Sequence, residues 1–294
     1  MVPPLGCPAV IVEFTKMNGA GNDFVLVDNR TNAVSLSPSQ VIGLCDRHRG
    51  IGADGIILLR RSRTGQAEWA WDFYNSDGST AEMCGNGARC FARFLQRLTG
   101  ATGKLTFETL AGLITATIRD ERVSIEMTRP KALRLKATIP TTAGLQTVSS
   151  LDTGVPHAVI FVPDADRTAV RQLGAEIRHH PHFSPRGTNV NFVQILGPNA
   201  IRVRTYERGV EDETLACGTG VTAAALIAAR VHGFDSPVAV RVQGGDQLEV
   251  AFHLDGDTFS AVQLAGPADF VFSGRTELPT GLDDVTGASL SPSL

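Results

Sequence analysis

Short apolar runs alternate with amphipathic stretches along the chain, and their order occurs twice. Val25 to Asp28 and Ala158 to Val162 are β-branched runs that predict buried strands. After the first, Ser37-Pro38 offers an N-cap and a first-turn proline, which predicts a helix over Val41 to His48. After the second, Asp164 or Asp166 is expected to cap a helix running through Leu173 and Ile177. Strands are expected next at Gly55 to Arg60 and at Asn191 to Leu196. Each half then reaches Cys-Gly-x-Gly at the mouth of a helix. In the first of these helices Phe91, Phe94, Leu95 and Leu98 share a face, with Arg89, Arg93 and Arg97 largely elsewhere. The second, Val221 to Val231, is apolar nearly all round, as a buried central helix would be. Alternating strands are expected to close each half: Lys104 to Ile118 with Val123 to Met127, and Val238 to Val242 with Gln247 to Leu254.

The two halves also match in detail. Tyr74-Asn75-Ser76-Asp77-Gly78 followed by Met83-Cys84-Gly85-Asn86-Gly87-Ala88 is echoed by Tyr206-Glu207-Arg208-Gly209 followed by Ala216-Cys217-Gly218-Thr219-Gly220-Val221, at an offset of about 133 residues. Arg49 to Leu59 aligns with Arg186 to Leu196, and Asn22 to Val27 with Pro156 to Phe161. Three matches in one order indicate an internal duplication. The fold class that follows is α+β, two pseudo-symmetric halves rich in antiparallel strands, with the natural ligand site in the cleft between them.

Composition narrows the setting. A chain of 294 residues supports one large or two ordinary domains. A net charge of -3, with scattered arginines, predicts neither nucleic acid nor an anionic membrane as partner. No apolar run has the length of a transmembrane helix. The stretch MVPPLGCPAVIVEF lacks a basic n-region and reads as a loose extension. Five cysteines without regular spacing make no disulfide framework, which favours the reducing cytoplasm. Cys7, Cys45 and Cys90 read as filler. His179-His180-Pro181-His182 has no further ligand at metal spacing and reads as a surface loop, so no metal is expected.

Cys84 and Cys217 call for a different account. A thiol at a helix N-terminus is expected to have a lowered pKa, because unpaired N–H groups and the helix dipole stabilise its anion. Twofold pseudo-symmetry would aim both thiols and both helix ends into one cleft. An anion there would receive N–H groups from Gly85 and Asn86 on one side and Gly218 and Thr219 on the other. Acid and base on opposite faces of one atom are what inversion of a carbon stereocentre needs, with thiolate and thiol taking the two roles. Charge developing on an α-carboxylate would lie where the helix ends point. The residues therefore predict a racemase or epimerase of an α-amino acid. The lysines, Lys16, Lys104, Lys131 and Lys136, stand beside no Gly-rich loop, which favours chemistry without a pyridoxal or other cofactor. Two other readings are weighed. Gly218 to Ala223 fits the dinucleotide pattern G-x-G-x-x-A, but the preceding Glu211 to Thr214 makes a poor strand. A thiol-switch or binding protein would tolerate Cys→Ser at either site.

Met17 to Phe24, Asn75 to Ser79, Cys84 to Cys90, Pro156-His157, Glu207-Arg208-Gly209 and Ala216 to Gly220 together resemble diaminopimelate epimerase, over about Phe14 to Gly274. The resemblance implies a cofactor-independent, two-base epimerase interconverting LL- and meso-diaminopimelate for lysine and cell-wall synthesis. It implies two domains, each a β-structure wrapped round a central helix, often paired as a homodimer. It makes Cys84 and Cys217 the catalytic thiols, with His157 and Glu207 tuning them. Asn22, Asn75, Asn189, Glu207 and Arg208 would line the substrate site, with the Gly85, Asn86, Gly218 and Thr219 amides on the reacting carboxylate. A final strand at Ala268 to Ser273 would return to the first domain. The expected division is 13–128 with 264–278 against 129–263, with loose tails at 1–12 and 279–294. Val155 departs from the pattern, since many members carry Asn there. A related isomerase of proline, hydroxyproline or another amino acid is the alternative within the class, and Arg208 favours a second carboxylate over proline.

Overall fold

The structure, a computed structural model, describes residues 10–278. The tail expected at 279–294, and Cys7, lie outside the described residues. The first half runs β1 (Ile11–Gly19), β2 (Asn22–Asp28), α1 (Pro38–Cys45), β3 (Gly55–Arg61), β4 (Trp69–Asn75), α2 (Gly85–Thr99), β5 (Lys104–Thr109), β6 (Gly112–Arg119) and β7 (Arg122–Glu126). The second runs β8 (Lys131–Thr141), β9 (Gly144–Asp152), β10 (Pro156–Phe161), α3 (Val170–Arg178), β11 (Asn189–Gly197), β12 (Ala200–Glu207), β13 (Asp212–Thr214), α4 (Gly218–His232), β14 (Val238–Arg241), β15 (Gln247–Asp255) and β16 (Thr258–Pro267). A last strand, β17 (Asp269–Glu277), follows.

Strand pairing reproduces the duplication. In the first half the ladder reads β17-β1-β2-β3-β4-β5-β6-β7, with β2–β3 and β4–β5 parallel and the rest antiparallel. In the second it reads β8-β9-β10-β11-β12-β14-β15-β16, with the parallel pairs, β10–β11 and β12–β14, in the same places. The ladders meet where β7 pairs antiparallel with β16. β8 and β17 change sides: each follows the last strand of one half and pairs into the other. A division at residue 264 would cut β16, so on pairing we assign 129–267 to the second half and the remainder of the described residues to the first.

Each sheet wraps its central helix. Around α2 the core includes Phe24, Ile57, Trp71, Phe73, Phe91 and Phe107. Around α4 it is built from Val159, Val203, Leu226, Ile227, Val250 and Leu264, and the helix alanines let strands approach closely. The smaller helices α1 and α3 cover the outer face of their sheets.

Several expectations are corrected. Ile11 and Val12, assigned to a loose tail, belong to β1 and pair with β17. The helix expected to reach His48 ends at Cys45, where the Asp46 carboxylate turns to accept the N–H groups of His48 and Arg49. Its start is as expected, with Ser37 and Gln40 forming a capping box. No aspartate caps α3: Ala169 precedes it, and Asp164 is engaged by the N–H groups of Asp166 and Arg167 in the loop before. The returning strand is longer than Ala268 to Ser273, reaching Glu277.

The internal alignment also shifts. Ile56 pairs with Tyr74 and Val190 with Tyr206, so the ladder matches Gly55 to Asn189 and Ile57 to Asn191. Phe24 pairs with Gly55 and His157 with Asn189, which makes His157 the counterpart of Phe24. The sequence alignment was one residue out here and three out in the following strand. Apolar runs resemble one another at any register, whereas a one-residue slip in a strand reverses every side chain.

Candidate functional site

The two Cys-Gly-x-Gly turns meet between the halves. Cys84 and Cys217 are N-cap residues of α2 and α4, both with extended backbone. A Cβ built on Gly218 would lie 4.0 Å from the Gly85 Cα and 3.0 Å from Leu264 Cδ2. The first turns therefore face each other across Leu264 of β16, and glycine keeps them that close. Asn86 ties them together, donating to Asn22 Oδ1 at 2.5 Å and to the Ala216 carbonyl, just before Cys217, at 3.5 Å.

Both thiols are held in the neutral form. Burial pushes Cys84 up from the usual thiol range, against the N–H groups of Gly87 and Asn86, which pull it down. Burial also pushes Cys217 up, and the Glu207 carboxylate pushes it further. The expectation of lowered thiol pKa values is thus corrected, because desolvation outweighs the helix-end N–H groups. The Gly87 N–H points to Cys84 Sγ at 3.5 Å, and Cys217 Sγ lies 3.5 Å from the Thr219 hydroxyl. Among the described residues Cys45, Cys84, Cys90 and Cys217 are free thiols.

The remaining expected site residues fall into two groups. His157 is wholly buried on β10, and burial, helped by Arg208, lowers it to about 3, so it is neutral. Glu207 ends β12, accepts the Thr214 hydroxyl at 3.0 Å and is raised by burial, while hydrogen bonds from Thr214 and Cys217 oppose the rise. Asn189 accepts the Arg208 N–H at 2.8 Å and donates to the Pro156 carbonyl at 3.2 Å. The Arg208 guanidinium places one N–H on the Arg186 carbonyl at 3.2 Å. Asn22 donates to Asp54 at 3.0 Å beside its bond from Asn86. Asn75 stands at the end of β4, its amide on Ser79 at 3.0 Å, apart from these contacts.

Three features escaped the sequence reading. Arg89 is completely buried rather than off the core. It donates to the carbonyls of Gly19 (3.3 Å), Gly85 (3.4 Å) and Pro267 (3.2 Å) and to Asn86 Oδ1 (2.9 Å), with no carboxylate among these partners. Its signal in the sequence was its place four residues after Gly85, where Thr222 follows Gly218 and likewise bonds back to that glycine's carbonyl. Thr153 on the second half steadies the opening turn of α4 by donating to the Thr219 carbonyl at 2.9 Å. Asn191 sits under that turn beside His157, and nothing in a single sequence marks it. The dinucleotide reading loses its context, because the short β13 before α4 pairs antiparallel with β12 rather than opening a βαβ unit.

Residues 14–133 and 149–271 match the family model described as diaminopimelate epimerase. The chain is 41% identical over 277 residues to a protein named diaminopimelate epimerase from Aquifex aeolicus, covering 90% of this chain and 97% of that one. Among solved structures, a Bacillus anthracis phenazine biosynthesis protein of the PhzF family superposes with a TM-score of 0.69 at 14% identity, over 91% of this chain and 99% of that one. A probable proline racemase from Agrobacterium radiobacter superposes at 0.68 with 18% identity, over 93% and 94%. At those identities the likeness concerns the fold. Sequence identity over nearly the full length carries the assignment: the chain belongs to the diaminopimelate epimerase family.

Proposed function

We infer that the protein is an isomerase that interconverts LL- and meso-diaminopimelate, a step of lysine and peptidoglycan-precursor synthesis. The observation that carries the chemistry is the meeting of two N-cap thiols at facing helix ends. In this reading the reacting carboxylate sits between the first turns of α2 and α4, held by the N–H groups of Gly85, Asn86, Gly218 and Thr219. One thiolate removes the α-proton, and the other thiol delivers its proton to the opposite face. Charge on the carboxylate rises as the proton leaves, which is when the helix-end N–H groups stabilise it most.

Ionising a buried thiol requires a place for its proton. Glu207 is hydrogen-bonded to Cys217 and raised by burial, so it is the group to accept it: Cys217 becomes thiolate as Glu207 becomes the neutral acid. His157 is assigned to the same machinery. Arg208, with most of its guanidinium N–H groups uncommitted among the described residues, suits the second carboxylate of a diamino diacid, and Asn75 and Asn189 suit its polar end. Asn22 acts through Asn86. The net charge of -3 supports a small-molecule substrate rather than nucleic acid or membrane as partner, and we propose a cytoplasmic homodimer. Among the described residues no helix is long and apolar enough to cross a membrane.

The test is proton NMR of the reduced protein in D₂O with LL-diaminopimelate, alongside proline, glutamate, lysine and histidine. The α-proton signal is expected to vanish as the meso isomer grows, and Cys84→Ala or Cys217→Ala should slow this by ~1,000-fold or more. Exchange of another amino acid instead would overturn the substrate, with Val155 the first position to restore to Asn. Full activity in either cysteine variant would overturn the mechanism.

A further inference from the structure

Gly220, in the first turn of α4, leaves room for two polar side chains beneath it. A Cβ there would fall 2.3 Å from Asn191 Oδ1 and 3.3 Å from His157 Cε1. Asn191 is wholly buried, and its amide is fixed at both ends. Nδ2 donates to the Ala158 carbonyl at 2.9 Å, and Oδ1 accepts the Thr205 hydroxyl at 2.9 Å. Turning the amide over would set its oxygen against the Ala158 carbonyl, so only this orientation is satisfied. The same Nδ2 lies 3.2 Å from His157 Nδ1. An amide NH₂ donates and never accepts, so Nδ1 must be the acceptor. The one proton of a neutral imidazole is then on Nε2. That Nε2 is buried and has no hydrogen-bond partner among the described residues. A buried donor without an acceptor is costly unless something else supplies one.

We propose that Asn191 is a positioning residue that holds His157 as a neutral Nε2–H donor, offered at the first turn of α4 to the occupant of the cleft. Burial keeps the ring neutral across the physiological range. The scaffold itself does not demand polar groups here, because the same ladder positions in the first half hold Phe24, Ile57 and Phe73. The catalytic consequence rests on the proposed epimerase reading, whereas the tautomer does not.

The experiment is a long-range ¹H–¹⁵N correlation spectrum of the reduced, full-length protein labelled with ¹⁵N-histidine, with the His157 signals assigned by their loss in His157→Gln. The expected pattern at neutral pH is the Nε2–H tautomer. Asn191→Asp, whose carboxylate can only accept, should move the proton to Nδ1 and lower kcat by at least ~10-fold with little change in KM, since the wrong tautomer blocks proton chemistry. Thr205→Val, which frees the amide to turn, should give a mixture of tautomers and a smaller loss, and it serves where the Asp variant fails to fold. An Nδ1–H or doubly protonated ring in the unmodified protein would overturn the proposal, as would an unchanged tautomer in both variants. Diaminopimelate exchange, measured on the same samples, separates failure of this proposal from failure of the epimerase reading.

Discussion

The two helix N-termini of the proposed site have the same backbone and opposite surroundings. Under Gly87 of α2 lie Ile57 Cδ1 and Phe24 Cε1, 3.2 and 3.6 Å from where a Cβ would be. Under Gly220 of α4 lie Asn191 and His157, with Thr205 behind them where Phe73 stands in the first half. The first half finds its polar group on the helix instead, in Arg89, where the second half has Thr222. After burial itself, the strongest influence on Cys84 is a pair of N–H groups that favour its anion, whereas on Cys217 it is the Glu207 carboxylate, which opposes it. Duplication thus supplied two matching helix ends, the anion cradles of the proposed mechanism, and the side chains beneath them made the two thiols unlike. An enzyme whose substrates are not mirror images of each other, such as LL- and meso-diaminopimelate, has use for unlike thiols.

The contrast can be tested by making each region more like the other. Arg89→Met should be the most damaging change, costing about 3–5 kcal/mol in urea unfolding, because several buried oxygens lose their donor. Thr222→Ala, at the equivalent place, should cost about 1 kcal/mol or less. Equal costs would show that the two helices do not depend on different polar anchors. Next in size is the double change His157→Phe and Asn191→Ile, which copies the apolar floor under α4. It should fold, as judged by circular dichroism, and lose ~100-fold in kcat. Retained activity would mean the polar floor is not part of the chemistry.

A further effect is pH-linked. His157 has a folded-state pKa of about 3 against an ordinary 6.5, so as pH falls the unfolded chain takes up the proton first. The stabilisation is present above pH 6.5 and is lost as pH falls toward 3. Between pH 7 and pH 5 the protein should lose ~2 kcal/mol more unfolding free energy than His157→Gln. Parallel pH profiles would show that His157 is protonated in the folded state as well.

The duplication, both central helices and the two thiols could be read from the sequence because Cys-Gly-x-Gly is rare and the capping signals are local. The β8–β9 hairpin could not. Register shifts in β8, with Ala132 (φ 57°) and Lys136 (φ 56°) in left-handed backbone, reset the alternation of inward and outward residues and erase the period-two signal. β1 was missed because a Pro- and Gly-containing stretch precedes it and most of its positions are buried on both faces. Arg89 was placed off the apolar face of its helix, as arginine usually is, a rule that fails where a helix end needs its carbonyls met. Asn191 depends on strand register, which no pattern of apolar residues fixes to one position.

The exchange of β8 and β17 bears on how the chain is made. The second half, 129–267, is one unbroken stretch, and every strand of its ladder is present once residue 267 has been synthesised. The first half, although translated first, lacks an edge strand until the end: Thr15 meets Ser273 across 258 positions of chain. While ribosomal synthesis proceeds, the flank of β1 is left without its neighbour, an open template for pairing with other chains. Folding of the N-terminal half therefore waits on the C-terminal strand, and truncation before Asp269 should harm most the half that was synthesised earliest.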